Sequence, residues 1–347
     1  MTDRPAPASW GQDAGDPGRL IERARRGDTR ALARLISLVE DGAPQLRQVM
    51  RALVPLAGGA RVIGLTGPPG VGKSTITGAL VKAYRRQDLR VGVLAVDPSS
   101  PFTGGALLGD RVRMQDHALD SGVFIRSMAS RGHLGGLAAA TPQALRVLDA
   151  AGFDLIMIET VGVGQAEVEI AGLADSTIVL VAPGMGDAIQ AAKAGILEVA
   201  DMFVVNKADR PQAQQTVRDL RNMIALAPPA EGPGGGPPWK TPIVSTVATT
   251  GEGVADLVAR LDAHWSWLAG NGERERRRLA RAREEVTALA VASIRHRMGR
   301  LPEGNGLDEV AGRVAVGELD PYAAADQLVG TLVTTNAAGD SPATGRR

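Results

Sequence analysis

Seven short apolar segments recur through the middle of the chain, and longer stretches with helical spacing separate them. The segments read VIGLTG, VGVLAVD, VFIRSM, DLIMIE, STIVLVAP, MFVVNK and PIVSTV. None alternates strictly between apolar and polar residues, so each is expected to be a strand covered on both faces. Strands that alternate with helices form parallel βαβ units. The pattern predicts an α/β domain over residues 61–269, with a mostly parallel twisted sheet flanked by helices.

Helical patterns flank this predicted domain on both sides. Apolar residues recur at helical spacing from Leu20 onwards, which predicts a helical extension over residues 20–60. After Gly272 the sequence ERERRRLARAREEVTALAVASIRHRM predicts a long helix, and two shorter helical segments complete a C-terminal arm over residues 270–334. The charged first half of the long helix is also typical of a solvated surface. Residues 1–19 and 335–347 are predicted to be disordered.

Composition excludes several classes of protein. The 39 basic and 38 acidic residues leave a net charge of +1, so no overall field favours nucleic acid or an anionic membrane as a partner. The chain has no cysteine, which excludes disulfides and thiolate metal sites, and no two of its four histidines have ligand spacing. The N-terminus lacks an apolar signal core, and no uncharged apolar run is long enough to span a membrane. We therefore expect a cytoplasmic protein.

A glycine-rich loop follows the first apolar segment. GPPGVGKST lies between the strand VIGLT and the helical pattern ITGALVKAYRR, which is the context that the G-x-x-x-x-G-K-[S/T] motif requires. Such a loop wraps phosphates with backbone N–H groups, Lys73 reaches the terminal phosphates, and the Ser74 hydroxyl can face Mg²⁺. The loop predicts binding of a nucleoside triphosphate and a P-loop NTPase fold. The predicted phosphate-binding residues are Gly67, Pro68, Pro69, Gly70, Val71, Gly72, Lys73, Ser74 and Thr75.

A second motif predicts that the base is guanine. VVNKAD ends a late strand and resembles the N-K-x-D signature of GTPases, with Asn206, Lys207 and Asp209 at its defined positions. The Asp209 carboxylate can accept hydrogen bonds from guanine N1–H and the 2-amino group, whereas adenine presents an acceptor at N1 and would leave the carboxylate unpaired. TVATTGEG, residues 246–253, resembles the last guanine-contacting loop. It adds Val247, Ala248 and Thr249 to the predicted nucleotide-binding residues.

Acidic residues near strand ends predict a magnesium site. Asp97 ends VGVLAVD, Glu159 ends DLIMIE, and Asp110 lies in the Pro- and Gly-rich stretch that follows Asp97. Because Mg²⁺ prefers oxygen ligands, Ser74, Asp97, Asp110 and Glu159 are its predicted inner-shell and outer-shell ligands. Helix capping or turn formation is the alternative role for these acids. The predicted catalytic residues are Lys73, Asp97, Glu159 and Gly162.

The segment IETVGVGQ, residues 158–165, is typical of a switch that lacks one catalytic group. Its Gly162 N–H can meet the γ-phosphate, but Val163 stands where Ras-like proteins have the glutamine that orients water. Gln165 and Glu167 are displaced from that position. We expect slow intrinsic hydrolysis, raised when a partner remodels the segment or supplies a cation. Arg111, Lys193 and a partner residue all remain candidates for neutralising the transition state.

The chain from about residue 20 to residue 332 resembles the MeaB/ArgK GTPases, relatives of the human cobalamin disorder type A protein. The resemblance is carried by GPPGVGKST, AVDPSSPFTGGALLGDRVRM, RGHLGGL, IETVGVGQAE, PGMGDAIQAAKAGI, VNKAD and GELDPYAAADQLV. It implies a GTPase that gates adenosylcobalamin loading and protects an acyl-CoA mutase, usually methylmalonyl-CoA mutase. It also implies a homodimer formed through the C-terminal arm, an adenosyltransferase as a further partner, and no cobalamin tightly bound to this chain.

The resemblance also identifies a third switch, PGMGDAIQAAKAGI, in residues 183–196. Asp187, Gln190 and Lys193 match the family's pattern for transmitting the nucleotide state to the mutase, whereas Ala188 departs from it because an acid is common there. The client remains open among methylmalonyl-, isobutyryl- and 2-hydroxyisobutyryl-type mutases.

Two other functions fit the same fold class. One is an ATPase or kinase that serves lysine, arginine and ornithine transport, against which the N-K-x-D motif argues. The other is a GTPase that inserts nickel, which the lack of cysteine and of clustered histidine disfavours.

Overall fold

One seven-stranded parallel sheet forms the centre of the protein, with the strand order β3-β2-β4-β1-β5-β6-β7. The computed structural model describes residues 16–97, 117, 119–129, 140–160, 166–185, 198–226, 237–298 and 306–339. The strands are β1 (Arg61–Thr66), β2 (Val91–Asp97), β3 (Val123–Ala129), β4 (Leu155–Thr160), β5 (Ser176–Val181), β6 (Met202–Asn206) and β7 (Ile243–Thr246). Each predicted strand segment forms one strand of this sheet, so the predicted fold class is confirmed.

Helices cover both faces of the sheet. Those that follow strands are α4 (Lys73–Arg85), α5 (Thr141–Ala150), α6 (Ala166–Leu173), α7 (Ala213–Leu226) and α8 (Val254–Gly270). On one face, Ile63 and Leu65 of β1 belong to a core with residues of α4 and α8. On the other, Ile156 and Ile158 of β4 belong to a core with α5 and the N-terminal helices. Burial on both faces explains why the strand segments are apolar without alternation.

Three helices precede the sheet: α1 (Pro17–Arg25), α2 (Thr29–Glu40) and α3 (Leu46–Leu53), followed by a 3₁₀ turn at Val54–Leu56. The helix α1 starts inside the segment predicted to be disordered, because Asp16 accepts a hydrogen bond from Gly18 N at 2.9 Å and Pro17 suits the first helical position. Residues 1–15 of that segment lie outside the described residues.

The joint between these helices and β1 is held by side chains from two later helices. The Asp149 carboxylate of α5 accepts hydrogen bonds from the backbone N–H groups of Gly58, Gly59 and Ala60. Arg278 donates to the carbonyl oxygens of Gly58 and Ala60 at 2.7 and 3.3 Å. Five of the backbone polar groups of residues 58–60 are therefore bound by Asp149 and Arg278.

The C-terminal helices are α9 (Glu273–Met298), α10 (Leu307–Ala315) and α11 (Pro321–Gly339). The chain divides into two compact units, Met1–Arg278 and Leu279–Arg347. Within the second unit, Val310, Ala324 and Leu328 form a small core. The helix α11 extends five residues into the predicted tail, and residues 340–347 lie outside the described part of the chain. The predicted boundary of the arm at residue 270 stays a prediction.

In the first turn of α9, Glu273 is buried and Arg277 is partly buried in the first unit, whereas Glu275 and Arg276 are exposed. Glu273 is 3% exposed and accepts from Arg276 and Arg277. Arg277 also donates to the Asp201 carboxylate at 2.8 and 3.0 Å, just before β6. Burial alone would raise the pKa of Asp201, but the neighbouring His264 ring and the hydrogen bonds from Arg277 outweigh it and hold that pKa below its ordinary value.

Candidate functional site

The carboxyl ends of the parallel strands meet along one edge of the sheet, and the predicted site residues that the structure describes follow these strand ends. Residues 67–72 connect the central strand β1 to α4. Gly67, Gly70 and Gly72 have φ angles of 137°, 79° and 96°. A Cβ atom at Gly67 would lie 2.2 Å from the Leu180 carbonyl oxygen, and one at Gly72 would lie 2.4 Å from the Asn206 amide nitrogen. Both backbone angle and space therefore require glycine at these two positions, as a loop that closes around phosphates needs.

Lys73 and Ser74 begin α4 and are nearly buried, at 7% and 6% exposed. The Lys73 ammonium donates to the carbonyl oxygens of Gly67 and Pro68 at 2.7 and 3.0 Å. This ammonium thus lies against the loop whose N–H groups could bind a phosphate. A positive charge and a helix N-terminus at one place favour an anion.

Glu159 joins α4 to the end of β4. Its carboxylate is 4% exposed and accepts from Ser74 Oγ at 2.5 Å and from Thr77 Oγ1 at 3.0 Å. Beside it, Thr160 donates to the Thr66 hydroxyl at 3.2 Å. The sequence predicts both Ser74 and Glu159 as metal ligands, and the structure brings them into direct contact.

The donor set at this edge fits a hard divalent cation. Ser74 and Glu159 offer only oxygen, and Glu159 pairs in register with Ala95 of β2, two residues before Asp97. The Asp97 side chain and Asp110 lie outside the described residues. Among the residues that are described, no group of three or more His, Asp or Glu could hold a metal. A magnesium ion held here would complete its coordination with phosphate and water oxygens, as is usual for Mg²⁺ at nucleotide sites.

Asn206, at the end of β6, connects the phosphate loop to the loop after β7. Its amide nitrogen donates to the Val71 carbonyl oxygen at 2.8 Å, and its amide oxygen accepts from Thr246 Oγ1 at 3.1 Å and from Ala248 N at 3.2 Å. The side chain is 3% exposed, so these three hydrogen bonds are shielded from water. Asn206 therefore fixes the position of the phosphate loop relative to the predicted base-contacting residues.

Lys207 and Asp209 follow Asn206 directly after β6. Lys207 has a φ of 58°, and its ammonium donates to the Gly70 carbonyl oxygen at 2.6 Å. Asp209 is exposed and makes no hydrogen bond or ion pair within the part of the chain that the structure describes. An exposed carboxylate two residues after Lys207, which contacts the phosphate loop, could accept two hydrogen bonds from a guanine edge.

The loop after β7 has a fixed backbone. Val247 forms an isolated antiparallel bridge with Glu252, and Thr250 Oγ1 donates to the Val247 carbonyl oxygen at 3.1 Å. Gly253 has a φ of 76°, and a Cβ there would lie 2.1 Å from the Ser245 carbonyl oxygen. This closed turn presents Val247, Ala248 and Thr249 next to Asn206.

Comparison with known proteins agrees with this geometry. A family described as methylmalonyl-CoA mutase-associated GTPase MeaB matches residues 32–302, which include the phosphate loop, Glu159 and both base-contacting loops. The chain belongs to the MeaB family. Its relatives include a putative GTPase of Pyrococcus abyssi, 46% identical over 90% of this chain and 96% of that protein. A probable GTPase of Mycobacterium tuberculosis is 40% identical over 89% of this chain and 93% of that protein. This MeaB-family chain is a GTPase.

Two further likenesses extend the MeaB-family assignment. The methylmalonic aciduria type A homolog of Mus musculus is 30% identical over 90% of this chain and 78% of that protein. The crystal structure of a LAO/AO transport system kinase has 25% identity and a TM-score of 0.68, and covers 94% of this chain and 100% of that chain. The fold of the MeaB-family chain is thus also that of a solved structure.

Several predicted residues of the MeaB-family site lie outside the described residues. They are Asp110 and Arg111, Gly162 and Gln165, and the third-switch residues Asp187, Gln190 and Lys193. The side chain of Glu167 is likewise not described. Their roles remain predictions from the sequence.

Sequence reasoning missed two features of this MeaB-family chain. One is Thr77, which contacts Glu159 from α4. The spacing could have indicated this residue, because residues three or four positions apart lie on one helix face and Thr77 is three positions after Ser74. The other is the cluster at the opposite edge of the sheet, where His264 lies 2.8 Å from Ser176 Oγ and 3.3 Å from Asp201. These three residues come from distant parts of the sequence and form no local motif.

Proposed function

We propose that this GTPase is a chaperone of an adenosylcobalamin-dependent acyl-CoA mutase, and that its client is methylmalonyl-CoA mutase. In this role it gates loading of the cofactor and protects the mutase from inactivation. The observation that carries the proposal is the family match across residues 32–302, under a description that names a mutase-associated GTPase. The likeness to the mouse methylmalonic aciduria type A homolog supports it. An adenosyltransferase is a further proposed partner.

The nucleotide part of the proposal assigns GTP and GDP to the edge built by the phosphate loop and Asn206. The backbone of residues 67–72 binds the phosphates, and Lys73 donates to their terminal oxygens. Asp209 accepts from the guanine edge, and the loop at residues 247–249 lies against the base. A bound Mg²⁺ would offset phosphate charge, with Ser74, Asp97, Asp110 and Glu159 as the residues that hold it.

The hydrolysis step is proposed to be slow without a partner. The Gly162 N–H is proposed to meet the γ-phosphate, and Val163 follows it in the sequence with no group that can orient water. A partner that reshapes residues 161–165 or supplies a cation then accelerates the reaction. Asp187, Gln190 and Lys193 are proposed to report the nucleotide state to that partner.

We also propose that the chain forms a homodimer through the C-terminal arm. On α9 the exposed side chains of Leu279, Val286 and Leu289 are spaced by seven and three residues, and Ile294 lies further along the helix. An apolar stripe at this spacing matches a helix that packs against another helix. Their exposed fractions are 53%, 65%, 51% and 49%, so packing would bury a large apolar area.

The test is GTP turnover measured with and without a purified cobalamin-dependent mutase. We expect slow turnover by the chain alone and a rate increase of at least about tenfold with the client mutase, as expected if the partner supplies missing transition-state contacts. The Lys73→Ala variant, which lacks the phosphate-binding ammonium, serves as the inactive control in both conditions. Turnover that no candidate mutase accelerates would contradict the chaperone role while leaving the GTPase assignment intact.

A second candidate is a kinase or ATPase of basic amino-acid transport, which the name of the similar solved structure favours. The Asn206 and Asp209 arrangement disfavours it, because adenine cannot donate from N1 to the carboxylate. Competition of ATP and GTP against labelled GDP distinguishes the two, and equal affinity for both triphosphates would support the transport role.

A further inference from the structure

We propose that Thr77 is a positioning residue for magnesium-dependent nucleotide binding, and that its hydroxyl holds the Glu159 carboxylate in the orientation that Ser74 requires. This inference rests on the proposed nucleotide and magnesium site. It adds a residue outside the phosphate-loop motif, one turn further along α4.

The contact with Glu159 involves both carboxylate oxygens. Oε1 accepts from Ser74 Oγ at 2.5 Å, and Oε2 accepts from Thr77 Oγ1 at 3.0 Å. Ser74 and Thr77 are three residues apart on α4, so their side chains share one helix face. With each oxygen bonded to a different hydroxyl, the carboxylate plane has one preferred orientation.

Thr77 is itself held in place. Its Oγ1 lies 3.0 Å from the Lys73 carbonyl oxygen one turn earlier, so the single hydroxyl hydrogen is shared between this carbonyl and the carboxylate. The residue is fully buried, at 0% exposed, and a β-branched side chain in a helix has few accessible rotamers. Thr77 can therefore act as a fixed reference for the carboxylate of the longer Glu159 side chain.

The contact with Thr77 should order the Glu159 side chain before a metal ion binds. A glutamate side chain loses substantial rotamer freedom when it is fixed. Because the hydrogen bond to Thr77 already restricts the Glu159 rotamers, this entropy is not lost again when the metal binds. Loss of the Thr77 hydroxyl should weaken the metal-dependent step and leave phosphate and base contacts unchanged.

Thr216 of α7 provides a matched control. It is a buried helical threonine, 6% exposed, whose hydroxyl donates to the Gln212 carbonyl oxygen one turn earlier at 3.2 Å. It therefore reproduces the backbone contact of Thr77 on a helix that contributes no predicted site residue. Valine at either position keeps the β-branched shape and removes the hydroxyl.

The experiment measures the affinity of a fluorescent GDP analogue for the full chain, first with EDTA and then across a Mg²⁺ titration. For Thr77→Val we expect EDTA affinity within about twofold of the parent and a Mg²⁺ midpoint raised about tenfold, a change of about 1.4 kcal/mol. Thr77→Ser, which keeps the hydroxyl, and Thr216→Val should both stay within about twofold of the parent midpoint, as expected for variants that retain the bond to Glu159. Circular dichroism melts check folding, and Thr77→Ala replaces the valine variant if that variant unfolds.

Equal Mg²⁺ midpoints for Thr77→Val, Thr216→Val and the parent would overturn the positioning role. So would a loss of affinity in EDTA as large as the loss in Mg²⁺, because that result would indicate a structural role alone. The parent protein separates the two levels of inference: if it binds no GDP analogue, or binds it without any effect of Mg²⁺, the proposed nucleotide and metal site itself is refuted.

Discussion

Replacement of Asn206 by alanine should uncouple the phosphate loop from the loop after β7. The amide makes two buried hydrogen bonds, to Val71 O and with Thr246 Oγ1, and a partly buried one with Ala248 N. At a net value of about 1 kcal/mol each, their loss should destabilise the first unit by about 3 kcal/mol. For a unit of this size that corresponds to a fall in melting temperature of roughly 6 to 12 °C.

The assay combines thermal melting of the nucleotide-free protein with GDP affinity by calorimetry. GDP affinity should fall by at least about tenfold, because the two loops no longer have a fixed separation and must be ordered by the ligand. Asn271→Ala is the control: its amide donates a single hydrogen bond, to the Trp267 carbonyl oxygen at 2.8 Å near the end of α8. That variant should lose about 1 kcal/mol of stability at most and keep its GDP affinity.

A double-mutant cycle sharpens this prediction. Thr246→Val removes one of the three bonds and should cost about 1 kcal/mol. In the Asn206→Ala and Thr246→Val double variant, the loss of unfolding free energy should be about 1 kcal/mol smaller than the sum of the losses in the two single variants. The reason is that the hydrogen bond between these two side chains can be lost only once. Strict additivity, or an Asn206→Ala protein that melts within about 2 °C of the parent, would refute the argument that this amide holds the loops together.

Three further perturbations test other parts of the molecule. Asp209→Asn should lower GDP affinity roughly a hundredfold and favour xanthine nucleotides in competition assays, because an amide offers one donor and one acceptor and xanthine presents the complement. Arg277→Met should cost about 3 kcal/mol at neutral pH, since the buried Asp201 charge loses its guanidinium partner and keeps only Thr177 N–H and the His264 ring. Because the pKa of Asp201 is lowered in the folded parent, its carboxylate contributes its full stabilisation of the fold above about pH 4, and this stabilisation is lost as the pH falls through the folded-state pKa. In the variant, the folded-state pKa of Asp201 should instead be raised. The difference in melting temperature between parent and Arg277→Met should therefore narrow from about pH 7.5 to about pH 5, and a constant difference would contradict this assignment. Leu289→Asp should shift the protein from dimer to monomer in light scattering, and an unchanged mass would argue against the arm as the dimer contact.

The sheet could be predicted because each strand is a short apolar segment that is recognisable in the sequence without knowledge of its neighbours. Segments such as LIMIET are buried on both faces, so they are apolar up to the polar residues at their ends and contrast with the helical patterns between them. The motif residues at strand ends could be predicted for the same reason: Asn206 and Glu159 close such segments. Topology then brings the strand ends to one edge of the sheet.

The rest of the site depends on contacts that no local pattern encodes. Thr77 lies inside a helical stretch, and its hydroxyl gains a role only because β4 ends beside it, 82 residues later in the chain. Arg277 was indistinguishable by sequence from its neighbours in a run of arginines, yet it binds Asp201, 76 residues earlier. A charged helix face reads as solvated unless its partners are known, and those partners come from tertiary structure.

The hydrogen bonds at residues 58–60 would couple the N-terminal helices mechanically to β1. Asp149 and Arg278 bind this short elbow from two sides, and β1 with its phosphate loop starts directly after it. A movement of α1, α2 or α3 would thus be transmitted to β1 and the phosphate loop that follows it, because the connection at residues 58–60 is fixed by hydrogen bonds. A protein that binds those helices could therefore change the position of β1 and the phosphate loop without contacting the nucleotide.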